Sequence, residues 1–249
     1  MAHVNAACDF STVRPYRVDG PNDDAHRHAM AHLAESIRSA KTDSAWRRIN
    51  LALKRIIDIG GAAMALTILA PLLAALAIAI RIESRGPALF VQERWGKDMT
   101  IFKVLKFRTV LTEACDRSGV DQIRAGDPRV TRFGAFLRRT NIDELPQLIN
   151  VIRGEMSLVG PRCHVIGMQA AGVRYEELVP HYHLRHRMRP GITGLAQMRG
   201  LRGPTTDAAH AIERARSDLE YVATFNIFKD IAIILGTVCH ELCLGGRGI

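Results

Sequence analysis

Residues Ile59–Ile80 read IGGAAMALTILAPLLAALAIAI, and no charge interrupts these 22 residues. As one straight helix such a run is roughly 33 Å long, enough to span a bilayer. A buried core helix of that length would be expected to show a polar face, and this one has none. Pro71 lies in its middle. It lacks an N–H and clashes with the preceding turn, so it predicts a bend, and Thr67 is a candidate partner for the freed carbonyl. Arg47, Arg48, Lys54 and Arg55 precede the run, and Arg81, Arg85, Arg94 and Lys97 follow it. Positive charge collects on the cytoplasmic side, so basic flanks at both ends predict a helix–break–helix that enters one leaflet and returns. A kinked single span is the rival. Asp58, just after Lys54 and Arg55, reads either as an acid neutralised by one of them or as an ordinary interfacial charge.

The remainder is basic: the 249 residues carry a net charge of +9. Anionic partners follow, whether phosphorylated substrates, nucleic acid or acidic lipid. Aromatic content of 6% argues against single-stranded nucleic acid, which needs stacking platforms. The five cysteines, Cys8, Cys115, Cys163, Cys239 and Cys243, have no framework spacing and fit a reducing environment. Residues 1–50 read as a polar extension, partly disordered, without a secretory signal, in which 24–48 has helical character. Residues 51–249 read as one membrane-anchored domain, with the re-entrant segment at about 56–82.

Within that domain, Ala88–Glu93 and Thr100–Phe107 are strand-like and Val130–Arg139 has helical spacing. The stretch Thr140–Arg162, TNIDELPQLINVIRGEMSLVGPR, sets Asp143 and Glu144 side by side after Arg138 and Arg139. Adjacent acids among fixed cations, here including Lys106, Arg108, Arg162 and Arg189, suit phosphate chemistry. A carboxylate attacks or holds a metal, and cations stabilise the phosphoryl oxygens. Asp143 is also an N-cap candidate for a helix ended by Gly154. On that reading the helix dipole keeps it ionised; alternatively, the acids only cap and decorate a first turn. His181, His183 and His186 lie among Arg185, Arg187 and Arg189, which favours a lipid-facing basic stretch over a metal site. Arg189–Gly194 reads as turns with exposed N–H groups. Ser217–Tyr221 and Phe225–Leu244 read as closing helices, the latter placing Cys239 and Cys243 on a packing face.

These segments, in this order, resemble the bacterial sugar transferase family, the monotopic phosphoglycosyl transferases. The resemblance rests on Lys54-Arg55…Asp58, Gly86-Pro87, Gln92-Glu93-Arg94, Lys106-Phe107-Arg108-Thr109, Asp127–Thr131 and Phe136–Thr140. It continues through Asp143–Leu148, Arg153–Arg162, Arg189–Gly194 and Asp218…Tyr221…Asp230, covering about residues 51–240. It implies transfer of sugar 1-phosphate from a nucleotide diphosphate sugar to polyprenyl phosphate, starting exopolysaccharide or glycoconjugate assembly. It implies that Asp143 is the nucleophile of a covalent phosphosugar intermediate, that Glu144 is its partner acid and associates with Mg²⁺ and the acceptor phosphate, that Arg138 lies near the polyprenyl phosphate, and that Arg162 and Arg189 occupy phosphate- or carboxylate-binding positions.

The implied fold is α+β, mainly helical: a re-entrant membrane helix–break–helix, then a compact cytosolic catalytic domain with interfacial amphipathic helices. Pro71, Lys54, Arg55 and Asp58 belong to the anchor. The expected location is the cytoplasmic face of a bacterial inner membrane. Expected partners are a nucleotide-sugar donor, a polyprenyl phosphate acceptor and membrane lipid, with a homodimer open and no nucleic acid. Three positions depart from the family pattern: Cys163 where a proline is usual, Ala196 where a tryptophan often precedes Gln197, and Ala70 where serine often precedes the proline of the break. The rival function is a basic, membrane-anchored scaffold without catalysis, which leaves the two acids unexplained. A single apolar segment excludes a many-span phosphoglycosyl transferase.

Overall fold

The computed structural model describes residues 23–39, 45–112, 123, 126–201, 203 and 207–244. The expected disorder of Met1–Pro21, most of the predicted loop 114–128, and Cys8 and Cys115 lie outside the described residues. The helical character expected over 24–48 is divided between two helices, α1 (Asp23–Ser39) and the start of α2 (Ala45–Glu83).

The architecture is mostly helical, with short strands and one long apolar helix. That helix is α2. It runs without interruption through Pro71 over 39 residues, so the predicted break is not a gap in the helix. The carbonyl that Pro71 deprives of a donor is that of Thr67, four residues earlier. The Thr67 hydroxyl does not serve it, because it donates to the Ala63 carbonyl at 2.9 Å. One stripe of α2, formed by Lys54, Asp58, Ala62, Leu76 and Ile80, is buried. Its opposite side exposes Ile56, Met64, Ile68, Ile78 and Ile82, the inverse of a soluble surface helix and the pattern of a helix solvated by lipid.

Both halves of the stripe seat on the same body. Ala62 joins Phe102, Val104, Val151 and Met156 in one cluster, and Leu76 and Ile80 join Phe107 and Leu137 in another. The phenylalanines and Val104 come from a hairpin, β1 (Leu89–Trp95) and β2 (Ile101–Phe107), antiparallel with Leu89 opposite Phe107. α3 (Arg132–Arg139) follows, its first turn capped by the Thr131 hydroxyl, which accepts from Gly134 N–H. α4 (Gln147–Arg153) ends, as expected, at Gly154, whose φ of 86° is left-handed. β3 (Ser157–Val159) pairs in parallel with β6 (Gly191–Thr193), and between them come the small hairpin β4 (Gln169–Ala170)–β5 (Val173–Arg174) and α5 (Tyr175–Leu178). α6 (Leu195–Met198), α7 (Ala208–Thr224) and α8 (Ile227–Leu244) close the chain. α1 lies on α7, burying Met30, Ala34 and Ile37 in the largest core cluster.

Three sequence expectations change here. Arg189–Gly194 is not a run of exposed N–H groups, since it contains β6, and Gly191 N–H donates to the Pro161 carbonyl at 2.9 Å. His181–Arg189 is not a lipid-facing stretch. Its 3-10 segment Tyr182–Arg187 buries Tyr182, Leu184, Arg185 and His186, because Asp218 of α7 neutralises Arg185. Cys239 is exposed rather than packed.

Backbone meets backbone where β3 and β6 continue into Gly160 and Gly191. A Cβ on Gly191 would lie 2.1 Å from Gly160 N, and one on Gly160 would lie 2.4 Å from the Arg189 carbonyl oxygen. Gly191→Ala therefore lowers the melting temperature in detergent sharply or prevents accumulation. Gly60→Ala, in α2 where a Cβ meets nothing within 4 Å, leaves stability unchanged or raises it, since alanine is the better helix former by roughly 1 kcal/mol. Thermal melts of the two variants beside the parent check both.

Candidate active site

Asp143 and Glu144 are not helix caps. They sit in a 3-10 turn, Ile142–Glu144, entered through Asn141 in the left-handed conformation (φ 55°), and Pro146 takes the cap position of α4 without a side-chain cap bond. Both carboxylates are buried, at 6% and 9% exposure. Three separate elements bring cations to them. Lys106, from β2, places Nζ 2.7 Å from Glu144 Oε1. Arg162, just past β3, donates from Nη2 to Oε1 at 2.6 Å and from Nη1 to Oε2 at 3.3 Å. Arg138, in the last turn of α3, is half-buried and lies near Thr109 Oγ1 at 3.4 Å, and its charge acts on Asp143.

The two neighbours ionise in opposite senses. Burial pushes Asp143 up to about 6, and the Glu144 charge adds to the rise, against Lys106, Arg138 and Arg162. Burial also opposes the Glu144 charge, but Arg162 and Lys106 outweigh it and hold the carboxyl well below the usual range. The expected role of a helix dipole in keeping Asp143 charged is thus replaced by burial, which works the other way.

The other expected phosphate ligands separate. Arg108 is turned away and buried. Its guanidinium donates to the Ser84 and Pro87 carbonyls at 2.8 and 2.6 Å and to the Ser84 and Thr112 hydroxyls at 2.8 and 3.0 Å, so it braces the turn after α2. Arg189 donates from Nε to the Gly154 carbonyl at 2.8 Å, at the C-terminus of α4, with the acids preceding its N-terminus. Seven residues of helix separate the two ends by roughly 10 Å. Arg55 serves the same end of α4, donating to the Val151 carbonyl at 2.8 Å and the Ile152 carbonyl at 3.2 Å. Lys54 and Asp58 are buried and paired, with Lys54 Nζ 3.9 Å from Asp58 and 2.6 Å from Asp230, so Asp58 is the neutralised acid and not a free interfacial charge. Arg94, which the sequence offered as a basic flank of the apolar run and as part of Gln92-Glu93-Arg94, borders the site. It donates to the Cys163 carbonyl at 2.9 Å and feels the charges of Arg162 and Glu144.

Among the described residues no group of three or more His, Cys, Asp or Glu side chains forms a metal cage. Magnesium needs only one or two carboxylates when substrate phosphates supply the rest. Glu144 Oε2, which among the described residues accepts the long 3.3 Å contact from Arg162, fits such a ligand. Oε1, held by two cations, does not.

A model of the bacterial sugar transferase family matches residues 49–243, and the chain belongs to that family. It is an enzyme, a phosphoglycosyl transferase. It is 59% identical over 197 residues to an exopolysaccharide production protein, PSS, of Rhizobium leguminosarum bv. phaseoli, spanning 79% of this chain and 98% of that protein. It is 46% identical to the UDP-glucose:undecaprenyl-phosphate glucose-1-phosphate transferase of Caulobacter vibrioides, over 74% of this chain and 68% of that one. With the Escherichia coli K12 protein of the same name it shares 44% identity, over 76% of this chain but 40% of that protein.

A buried acid with a raised proton affinity costs stability whenever it is ionised. The folded-state value of about 6 lies above the 3.8 of a free aspartate. The parent therefore loses stability as pH rises from about 4 to 6, and above that the whole penalty is present. Asp143→Asn carries no such penalty. Its melting temperature exceeds the parent's by a few degrees at pH 8 and matches it below about pH 4, which thermal melts across that range measure.

Proposed function

We propose that the protein transfers sugar 1-phosphate from a UDP-sugar to undecaprenyl phosphate at the cytoplasmic face of the inner membrane, through a phosphosugar bound to Asp143. The observation that carries this reading is the buried Asp143–Glu144 pair with Lys106 and Arg162 closed on Glu144. Burying two acids side by side is costly, and a scaffold has no use for it. The relatives' names supply the substrates: glucose 1-phosphate transferred from UDP-glucose to undecaprenyl phosphate, so UDP-glucose is the first donor to test.

In the first step a carboxylate oxygen of Asp143 attacks the sugar-bearing phosphorus. The bond from that phosphorus to the oxygen of UMP breaks and UMP leaves. In the second, an oxygen of undecaprenyl phosphate attacks the same phosphorus, the Asp143 oxygen–phosphorus bond breaks, and the carboxylate is restored. Arg162, Lys106 and Arg138 bring fixed positive charge to the oxygens on which negative charge grows. The hold of Arg162 and Lys106 on Glu144 keeps that residue ionised while Asp143 exchanges its bond. Mg²⁺, arriving with the diphosphate and held through Glu144 Oε2, would supply further charge neutralisation.

α2 supports a re-entrant arrangement. Its buried stripe is seated on the body both near Lys54 and at Ile80, whereas a helix leaving the body to cross the bilayer would stay seated at one end only. That arrangement would hold the carboxylates near headgroup height, where the lipid phosphate lies.

Protein in nanodiscs, given UDP-glucose labelled in the sugar and no acceptor, retains label at Asp143 by peptide mapping and releases one equivalent of UMP. Adding undecaprenyl phosphate discharges the label into lipid. Asp143→Asn retains none and loses turnover by at least about 10³-fold. Equal labelling of that variant would remove Asp143 from the nucleophile's role, and unchanged turnover would favour the scaffold.

A further inference from the structure

Arg162 grips Glu144 with its side chain while its own backbone is gripped from behind. It stands opposite Gly191 in a parallel pairing, and Gly191 N–H donates to the carbonyl of the preceding residue, Pro161, at 2.9 Å. In a parallel pair the residues flanking the bridge position supply the ladder bonds, so the peptide groups of Arg162 itself point the other way. There its carbonyl accepts from Arg185 Nη2 at 2.5 Å. Arg185 is tied in turn to Asp218 Oδ2 on α7, from Nε at 3.1 Å and Nη2 at 2.5 Å. Both side chains are 1% exposed. Arg185 Nη1 also reaches the Tyr182 hydroxyl at 3.3 Å, which pairs with His164 Nδ1 at 2.7 Å. The next carbonyl, that of Cys163, is taken by Arg94 at 2.9 Å. Two consecutive carbonyls are therefore each held by a guanidinium.

Burying an ion pair this deeply is weak evidence for a contribution to stability, since an apolar pair of similar volume often serves as well. What an apolar pair cannot do is hold the Arg162 carbonyl. We propose that Arg185 and Asp218 are positioning residues for phosphoryl transfer, their buried pair fixing the Arg162 backbone so that its guanidinium is aimed at Glu144 and the donor phosphate. The proposal rests on the transferase reading above. Neither residue touches the acids, and both act through Arg162. A phosphate-binding cation displaced by about 1 Å costs catalysis far more than it costs folding.

The test is a double-mutant cycle in nanodiscs with UDP-glucose and undecaprenyl phosphate, reading UMP release. Arg185→Met with Asp218→Leu replaces the ion pair by packing. The expected result is a melting temperature close to the parent's, kcat lower by about ten-fold or more, and a donor KM changed far less. In an Arg162→Ala background the same pair of substitutions produces no further loss, because the residue they act through is gone. If the pair-replaced protein does not melt cooperatively, Arg185→Lys takes its place in the cycle. It keeps the charge on Asp218, but its single nitrogen lacks the fork that reaches both Asp218 and the Arg162 carbonyl. Parental kcat in a well-folded variant, or losses that multiply in the Arg162→Ala background, overturns the proposal. Failure of the transferase reading looks different: the parent then releases no nucleoside monophosphate from any nucleotide diphosphate sugar.

Discussion

Lys54 is a buried cation, and the seat of the long apolar helix α2 depends on it. Its ammonium donates to the Val159 carbonyl at 2.9 Å and to Asp230 at 2.6 Å, with Asp58 one turn further along α2. Asp58 in turn accepts the Ser157 hydroxyl at 2.8 Å and the Leu158 N–H at 2.9 Å. Tyr221 of α7 donates to Asp230 at 2.7 Å. Three helices and β3 therefore share one small polar network inside an otherwise apolar contact. A wholly apolar contact would let α2 slide or rotate on the body. Charges that must each meet a partner permit one register, and removing any one strands another in low dielectric.

β3 carries that register to the chemistry. The residues that receive Asp58 and Lys54, Ser157 to Val159, are followed directly by the close approach of Gly160 to Gly191 and then by Arg162. Helix α2 and Arg162 on Glu144 are thus connected through a few residues of extended chain, with little freedom between them. The same proximity explains why glycine is required there. Any side chain at Gly191 would push β3 and β6 apart and move Arg162 with them.

The long apolar helix, the hairpin, α3 and the glycine that ends α4 were legible because each is written locally, in hydrophobic run, alternation or turn chemistry. The adjacent acids and the abundance of nearby cations were legible too. Which cations reach the acids was not, because that is decided by partners far away in sequence. Lys106 and Arg108 are two residues apart, yet β2 ends at Phe107 and Ser84 and Pro87 draw Arg108 back to the end of α2. Arg189 follows α4's last carbonyls instead of the acids. The basic segment around Arg185 looked like surface because Asp218, more than thirty residues on, was needed to make it core. Asp143 looked like a cap because DELP has the composition of a helix start, but the left-handed Asn141 and Pro146 shift the start of α4 past both acids.

That shift matters for the chemistry. Had Asp143 capped α4, helix N–H groups would have stabilised its charge and weakened it as a nucleophile. Placed one turn earlier, it is buried beside a Glu144 that already holds Lys106 and Arg162. Glu144 takes the strongest cation contacts, and Asp143 is left with a charge that burial disfavours. Esterification by a phosphoryl group removes that disfavoured charge from the carboxylate. The unequal division of cations between two adjacent acids thus raises the energy of the free carboxylate relative to the phosphorylated one, the direction a covalent intermediate requires.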